Sequence, residues 1–262
     1  MKKIISYALV ILLLASCSSV PLTGRKQLLL VSDSEVLQAS ALSYTEYMST
    51  AVISKNITDT KKVETVGKKI AAAVEKYLKD NGMESEIANF SWSYSLVKDT
   101  TANAFCMPGG KVVFYEGIIP YCQTEAGIAV VMGHEIAHVV AKHGNERMSQ
   151  QMLVETGSQI AGAAVSSKTA VTQQLVQTVY GLGTQVGVLL PYSRKHEYEA
   201  DHLGLIFMAM AGYNPAEAVT FWERMSAGKG ASTDFLSTHP SDAKRIAALK
   251  TLLPEAQKYY TK

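Results

Sequence analysis

The stretch between positions 124 and 144, TEAGIAVVMGHEIAHVVAKHG, decides how this sequence is interpreted. Its almost unbroken run of apolar residues predicts a helix that is buried on most of its surface. Thr124 is the expected N-cap, Lys142 and His143 fall in the last turn, and Gly144 is the expected C-terminal stop.

Two histidines and a glutamate interrupt this apolar helix. Positions i and i+4 share one helical face, so the imidazoles of His134 and His138 can converge on one metal ion. Glu135 sits beside the first histidine, where its carboxylate can reach a water molecule on that ion. Three buried polar side chains without partners would be costly, and a metal ion would satisfy all of them.

A third ligand is expected on a later element, since zinc in hydrolases takes three protein ligands and keeps one position for water. The stretch SRKHEYEAD at 193–201 offers Glu197. Asp201 lies one turn further on the same face, where it can accept a hydrogen bond from a ligating histidine. Glu199 is expected to point elsewhere and to be solvated or ion-paired.

The first residues have the pattern of a lipoprotein leader. Lys2 and Lys3 precede an apolar run at 4–14, which is short for a membrane span, and Leu-Ala-Ser then leads to Cys17. The pattern resembles a bacterial lipobox, which predicts a signal peptide at 1–16 and acylation of Cys17. An ordinary secretory signal followed by an unrelated cysteine is the alternative.

Acylation would attach the protein to a membrane without a basic surface. We therefore predict a lipidated tether at 17–32 and a single domain at 33–262. Ser18 after the cysteine favours the outer membrane of a bacterial cell envelope, facing the periplasm.

The composition fits a globular domain, with 47% hydrophobic and 18% charged residues. The chain has 25 basic and 23 acidic residues, and removing Lys2 and Lys3 with the leader leaves 23 of each. This balance argues against a nucleic-acid partner. Cys106 and Cys122 are expected either to form a disulfide or to be two small buried side chains.

Hydrophobic periodicity predicts an α+β domain that is predominantly helical, with a small antiparallel sheet. The expected elements are helices at 60–80, 124–144 and 193–212, one starting at Asn214-Pro215, one after Pro240, a strand at 90–96, and a hairpin turning at 108–110.

Segment 151–192 is rich in small residues, and it has no Lys, Arg, Asp or Glu between 169 and 192. Its glutamines, among them Gln173, Gln174 and Gln177, make a membrane span a poor interpretation. A pair of helices over the site, or an interfacial lid, is the preferred one.

Together these motifs resemble those of the zinc metalloendopeptidases of family M forty-eight, the HtpX/Oma-type group. Within it the chain is most similar to LoiP/BepA-type outer-membrane lipoprotein quality-control proteases. The residues that carry the resemblance are His134-Glu135-Ile136-Ala137-His138, the 193–201 stretch, Thr238-His239-Pro240-Ser241-Asp242, Arg245-Ile246, Val20-Pro21-Leu22-Thr23-Gly24-Arg25 and Asn103-Ala104-Phe105.

The resemblance implies a zincin-like (gluzincin) fold, in which an active-site helix packs on a small sheet. It also implies one Zn²⁺ per chain held by His134, His138 and Glu197, with Glu135 as the general base. Asp201 would orient a ligating histidine.

The resemblance assigns further residues around this centre. His239 would either stabilise the transition state or occupy the fourth zinc position in a self-inhibited form. Arg245 would support the loop that carries His239, at the substrate cleft that Asn103 lines. His143 and His196, like His202, match no ligand position and are expected to be structural or surface residues.

The function that the resemblance implies is cleavage of misfolded or misassembled envelope proteins, with envelope assembly machinery as a possible partner. The alternative is a non-catalytic zinc-binding lipoprotein that acts as a chaperone or assembly factor. An esterase is disfavoured because the sequence has no Gly-x-Ser-x-Gly motif.

Overall fold

The computed structural model describes residues 17–20, 22–159, 194–227, 234–239 and 243–260. The predicted leader at 1–16 and most of the 151–192 segment lie outside these residues. The helices are α1 Asp33–Thr50, α2 Ile57–Asp80, α3 Ile119–Cys122, α4 Glu125–Val140, α5 His143–Gln159, α6 Arg194–Met210, α7 Glu217–Ala227, α8 Asp234–Thr238 and α9 Ala243–Ala256.

The predicted fold class is confirmed: the chain is mostly helical and carries one small three-stranded sheet. Strands β3 Ser93–Val97, β4 Ala104–Met107 and β5 Lys111–Tyr115 lie in the order β3-β5-β4. The sheet is mixed rather than antiparallel, because β3 lies beside β5, parallel to it, and only β4 and β5 form a hairpin.

The predicted elements occur with small shifts at their ends. Phe90 precedes β3, which begins at Ser93. The helix expected at Asn214 begins instead at Glu217, and the Asn214 side chain accepts a hydrogen bond from the amide of Ala216 in the preceding turn. Helix ends are the least predictable part of such patterns.

Helix α4 begins as predicted but ends earlier. The Thr124 hydroxyl accepts a hydrogen bond from the amide of Gly127. The helix stops at Val140 because Lys142 adopts a left-handed φ of 55°, and Gly144 belongs to α5. The Lys142 ammonium is held by Asp33 at 2.7 Å, which anchors this turn to the start of α1.

Helices α4 and α6 cross with their backbones in contact. A Cβ on Gly133 would lie 2.9 Å from the carbonyl oxygen of Gly204, and one on Gly204 would lie 3.0 Å from the amide nitrogen of His134. Because Gly204 is seven residues after Glu197, both lie on the same face of α6. The crossing therefore brings Glu197 against His134.

The N-terminal residues pack on the domain. Strands β1 Cys17–Ser19 and β2 Lys26–Leu28 form an antiparallel pair, which we call the N-terminal hairpin together with the turn between them. Val20 is 2% exposed and joins the main core. The amide of Val20 donates to the carbonyl of Arg25 at 2.8 Å, closing the turn.

Two further expectations concern cysteines and membrane spans. Cys106 and Cys122 are both free thiols, half-buried and buried respectively, so they are side chains of the interior and not a disulfide. Among the helices in the described ranges, none combines the length and hydropathy needed to cross a bilayer.

Candidate metal centre

Four buried side chains bring their ligand atoms together between α4, α6 and the end of α8. They are His134, His138, Glu197 and His239, and one donor atom from each lies within 4.8 Å of the others. The Nε2 atom of His134 lies 3.1 Å from Nε2 of His138 and 3.1 Å from Nδ1 of His239. The three predicted ligands are thus brought together, with His239 beside them.

The carboxylate of Glu197 completes the cluster. It lies 3.4 Å from His134, 3.5 Å from His138 and 3.1 Å from His239. A tetrahedral zinc ion with bonds of 2.0 to 2.1 Å separates its ligands by about 3.3 to 3.4 Å. The donor set and its spacing therefore fit zinc in a tetrahedral site.

The pKa shifts of two of these donors favour the protonation states that bind a cation. Burial, followed by the neighbouring imidazoles of His134 and His143, lowers the pKa of His138 well below its usual range, so its ring is neutral and offers a lone pair. Burial alone would raise the pKa of Glu197. The charges of His239 and Arg245 outweigh it and hold this carboxyl ionised.

Glu135 points its carboxylate at the same cluster. Its Oε1 atom is buried, has no hydrogen-bond partner among the described residues, and lies 3.4 Å from Nε2 of His239. Burial raises the pKa of Glu135 to about 7, against the opposing charge of His239. A carboxylate oxygen that accepts no hydrogen bond and lies beside the donor cluster is suited to hold a water molecule and accept its proton.

Behind His134, Asp201 occupies the predicted place. Its Oδ1 atom lies 3.0 Å from Nδ1 of His134, which orients the ring so that Nε2 faces the cluster. Arg245 grips Asp201 with two bonds, of 2.6 and 2.7 Å, and stacks over Trp222 at 3.7 Å. We call Asp201 and Arg245 the His134 arm.

Arg245 also bonds to Glu197 at 2.9 Å and donates to the carbonyl of His239 at 3.3 Å. This agrees with the expected support of the His239 loop. The side chain is only 2% exposed, so it lies beneath the cluster and does not line an open substrate cleft.

Behind His138 there is a second chain of contacts, which sequence reasoning missed. Nδ1 of His138 lies 2.8 Å from Nδ1 of His143, whose Nε2 lies 2.9 Å from Glu199. Glu199 in turn accepts hydrogen bonds from Thr23 and, at 2.9 Å, from Nε of Arg25. We call His143, Glu199, Thr23 and Arg25 the His138 arm.

Arg25 links this arm to α5. Its two terminal nitrogens donate hydrogen bonds to the Glu146 carboxylate at 2.8 and 2.7 Å. Nε2 of His196 lies 2.9 Å from the same carboxylate. Burial opposes ionisation of Glu199, but hydrogen bonds from His143 and Arg25 lower its pKa to about 2. His143 and His196 thus lie buried against carboxylates and not at the surface, and Glu199 is ion-paired.

Asn103 lies at the beginning of the edge strand β4. It is 3% exposed, and its side-chain oxygen accepts a hydrogen bond from the amide of Ala104 at 2.9 Å. Burial and the nearby charge of Glu135 raise the pKa of Cys106 on the same strand, so β4 runs beside Glu135. That Asn103 lines the substrate cleft stays a prediction.

A zinc-type donor cluster on a buried helix, with a glutamate beside the first histidine, defines a metallopeptidase-like centre. The family model described as Peptidase family M48 matches residues 61–253, and the chain belongs to this family. The match includes every ligand-cluster residue and excludes the N-terminal hairpin.

Individual relatives agree with this family. The chain is 40% identical over 187 residues to the mitochondrial metalloendopeptidase OMA1 of Schizosaccharomyces pombe, covering 70% of this chain and 53% of that protein. It is 28% identical over 248 residues to human mitochondrial metalloendopeptidase OMA1, covering 91% of this chain and 46% of that protein.

A bacterial relative is the beta-barrel assembly-enhancing protease of Escherichia coli, 28% identical over 162 residues, covering 59% of this chain and 33% of that protein. The chain spans about half the length of the OMA1 relatives it matches.

The prediction that the protein lies in a bacterial envelope is wrong, because these comparisons contradict it. The OMA1 relatives are named as mitochondrial proteins. The prediction depended on the leader pattern ending at Cys17 and on Ser18, and neither belongs to the part of the chain that the family model matches.

The missed His138 arm had only a weak signal in the sequence. His143 is five residues from His138, a spacing that suggests no shared face of a continuous helix. The 20–25 stretch contributed to the family resemblance, but nothing in its residues pointed to a partner 174 positions away in the chain.

Proposed function

We propose that this protein is a zinc-dependent endopeptidase. The observation that carries the proposal is the cluster of His134, His138, Glu197 and His239, with a Glu135 oxygen that is buried beside it and accepts no hydrogen bond from the described residues. A purely structural zinc site would have no use for a buried carboxylate oxygen without a hydrogen-bond donor. Family membership supports the same activity.

The chain's residues would divide the work as follows. His134, His138 and Glu197 would hold a zinc ion, whose chemistry would be to polarise the scissile carbonyl and acidify a water molecule. Glu135 would accept a proton from the attacking water at Oε1 and pass it to the leaving amine. Asp201 keeps the His134 ring oriented throughout.

The position of His239 supports the second of its two expected roles, occupation of the fourth zinc position. Its Nδ1 atom lies among the donors, 3.1 Å from both His134 and Glu197, at the place that a substrate or water would need. We propose that the described conformation is a latent one, in which His239 fills the fourth position. Movement of the α8 end would open it.

The central experiment measures zinc and proteolysis together. We expect one zinc per chain in the full-length protein, none in His134→Ala, and unchanged zinc in His202→Ala. His202 lies on α6, bonds to Glu255 and is not one of the four clustered donors. Glu135→Gln should keep zinc and lose casein cleavage by at least about a thousandfold. Full cleavage by Glu135→Gln would reject the proposed base.

The latent role of His239 is tested by His239→Ala. If His239 blocks the fourth position, the variant should cleave casein faster than the parent at saturating zinc. A fall in kcat with unchanged zinc content would instead assign His239 to stabilisation of the transition state.

We further propose unfolded or misassembled proteins as substrates, presented as an extended strand along the edge strand β4. The name of the Escherichia coli relative, a beta-barrel assembly-enhancing protease, supports a role with assembly machinery. A cleft that binds such chains without cutting them remains the competing function, and Glu135→Gln separates the two, because a chaperone would retain its activity.

Membrane attachment through an acylated Cys17 is part of the proposal. The intact mass of the protein purified from membranes should exceed that of the chain from Cys17 onward by the acyl groups. Cys17→Ser should shift the protein to the soluble fraction without changing its zinc content.

A further inference from the structure

We propose that the N-terminal hairpin is a working part of the metal centre, in which Arg25 positions the ligand His138 through Glu199 and His143. The inference depends on the proposed zinc site and extends it to residues outside the matched family region. His143 and Arg25 are positioning residues, since neither is expected to touch the ion or a substrate.

The first step is the pair of histidines. A His138 ring that offers Nε2 to a metal carries its proton on Nδ1, which must then donate. The atom facing it, 2.8 Å away, is Nδ1 of His143. His143 can accept this bond only if its own proton is on Nε2, and that atom faces Glu199 at 2.9 Å. This series of contacts therefore permits only one pair of tautomers for His138 and His143.

The second step is the fixation of Glu199. One carboxylate oxygen accepts from the hydroxyl of Thr23, and the other accepts from His143 and from Nε of Arg25. Both oxygens are thus held by the turn of the hairpin. A fixed carboxylate leaves the His143 ring a single orientation, and His143 in turn leaves one for His138.

The third step is the position of the Arg25 guanidinium. It lies between two buried carboxylates, Glu199 on α6 and Glu146 on α5, at 2.8 and 2.7 Å. Their side chains are 4% and 7% exposed, so each needs a cation nearby. The hairpin supplies that cation as Arg25. Displacing the hairpin would remove the positive charge beside both carboxylates and would leave Glu199, and with it His143, without a fixed position.

The arrangement implies that zinc binding and docking of the hairpin favour each other. An element that holds a metal ligand in its binding orientation must itself be held more tightly when the metal is present. Cys17, the proposed attachment point, lies in the first strand of the same hairpin. The metal site and the membrane-proximal segment are therefore one unit.

The test compares zinc affinity in full-length variants by competition with a chelator of known affinity. We expect His143→Leu and Arg25→Met to raise the Kd for zinc by about 10- to 100-fold, the usual effect of losing a partner that orients a metal ligand. His143→Gln should recover most of the affinity, because its amide can accept from His138 and donate to Glu199.

Arg224→Met is the matched control. Arg224 forms an ion pair with Glu217 at 2.7 Å and donates to the backbone carbonyl of Tyr121, and neither partner belongs to the donor cluster or to either arm. Its zinc Kd should stay within about twofold of the parent. The visible spectrum of the cobalt-substituted protein adds a readout that general stability does not move: it should change in His143→Leu and not in Arg224→Met.

An unchanged zinc Kd and cobalt spectrum in His143→Leu would overturn the inference while leaving the proposed function intact. If that variant does not fold, Arg25→Lys decides, since it keeps the charge and loses the paired bonds; an unchanged Kd there overturns the inference equally. A parent protein that binds no zinc would overturn the proposed function and this inference with it.

Discussion

The two histidines of the HExxH motif are supported in different ways. Nδ1 of His134 meets Asp201 directly, and Asp201 is gripped by Arg245, 2% exposed, from the C-terminal helix α9. Nδ1 of His138 meets another imidazole, His143, and its arm ends on Arg25, whose side chain is 11% exposed. The first arm ends inside the core, and the second ends on the N-terminal hairpin.

This difference indicates a division of tasks. The His134 arm places a bidentate arginine against buried carboxylates, so breaking it leaves unpaired charge in the interior. The His138 arm spreads its bonds over more residues and ends on Arg25, which is partly exposed, so each lost bond leaves other partners in place. We expect the first arm to determine stability and the second to adjust metal affinity.

The largest effect is expected from Arg245→Met. The change leaves Asp201 and Glu197 buried without their cation, so the free energy of unfolding of the metal-free protein should fall by about 3 to 5 kcal/mol. Arg25→Met should cost about 1 to 2 kcal/mol, because its two carboxylate partners keep hydrogen bonds from Thr23, His143 and His196 after the guanidinium is lost. Urea denaturation of both variants measures the contrast, and equal losses would remove the proposed division of tasks.

Gly204→Ala should disturb both arms together. Its new Cβ would lie 3.0 Å from backbone atoms of Gly133 and His134, so α4 and α6 must separate, at a cost of about 1 to 3 kcal/mol. Zinc affinity should fall as well, because Glu197 moves with α6.

Gly144→Ala is the control for that substitution. Gly144 is helical and a Cβ there meets nothing within 4 Å, so the change should be neutral or stabilise the protein by about 0.5 to 1 kcal/mol. Thermal unfolding of the two variants should therefore shift in opposite directions, and a Gly204→Ala protein as stable as the parent would argue against the close crossing.

The pH dependence of stability isolates Glu199. Its pKa is about 2 in the folded protein and 4.5 ordinarily, so its contribution is complete above pH about 4.5 and is lost as pH falls toward 2. When the pH is lowered from 6 to 3.5, the free energy of unfolding of Glu199→Gln should fall by about 1 kcal/mol less than that of the parent. Equal losses in urea titrations at the two pH values would show that the His138 arm does not hold this charge.

The smallest effect is expected from Thr23→Val. The substitution keeps the shape of the side chain and removes one hydrogen bond to Glu199. We expect about 1 kcal/mol lower stability, with zinc affinity reduced by no more than about threefold. Thr60→Val, which removes a buried hydroxyl without a hydrogen-bond partner, is the comparison and should cost less. A tenfold loss of affinity in Thr23→Val would make Thr23 as important as Arg25.

Much of the centre could be predicted because its residues are close in sequence or fall in a known pattern. His134 and His138 share a helical face, and Asp201 follows Glu197 by one turn, so local helix geometry orders each pair. The N-cap at Thr124 and the hairpin turn at 108–110 were predictable for the same local reason.

Other features had no local cause. The helix end at Lys142 depends on Asp33, 109 positions earlier, and the parallel pairing of β3 with β5 depends on how the chain crosses the sheet. The contact between Gly133 and Gly204 is invisible in the sequence, where each glycine simply weakens a helix.

Local patterns in the sequence predicted the predominantly helical fold class and nominated the metal-ligand set and the glutamate beside it, because helical periodicity and four-residue spacing are properties of neighbouring residues. The family resemblance assigned His239 to the metal centre, but its distances to the donors and the end of the His138 arm at Arg25 are seen only in the folded chain. These contacts join residues more than 100 positions apart, and they form where burial forces each charged or polar group to find a partner.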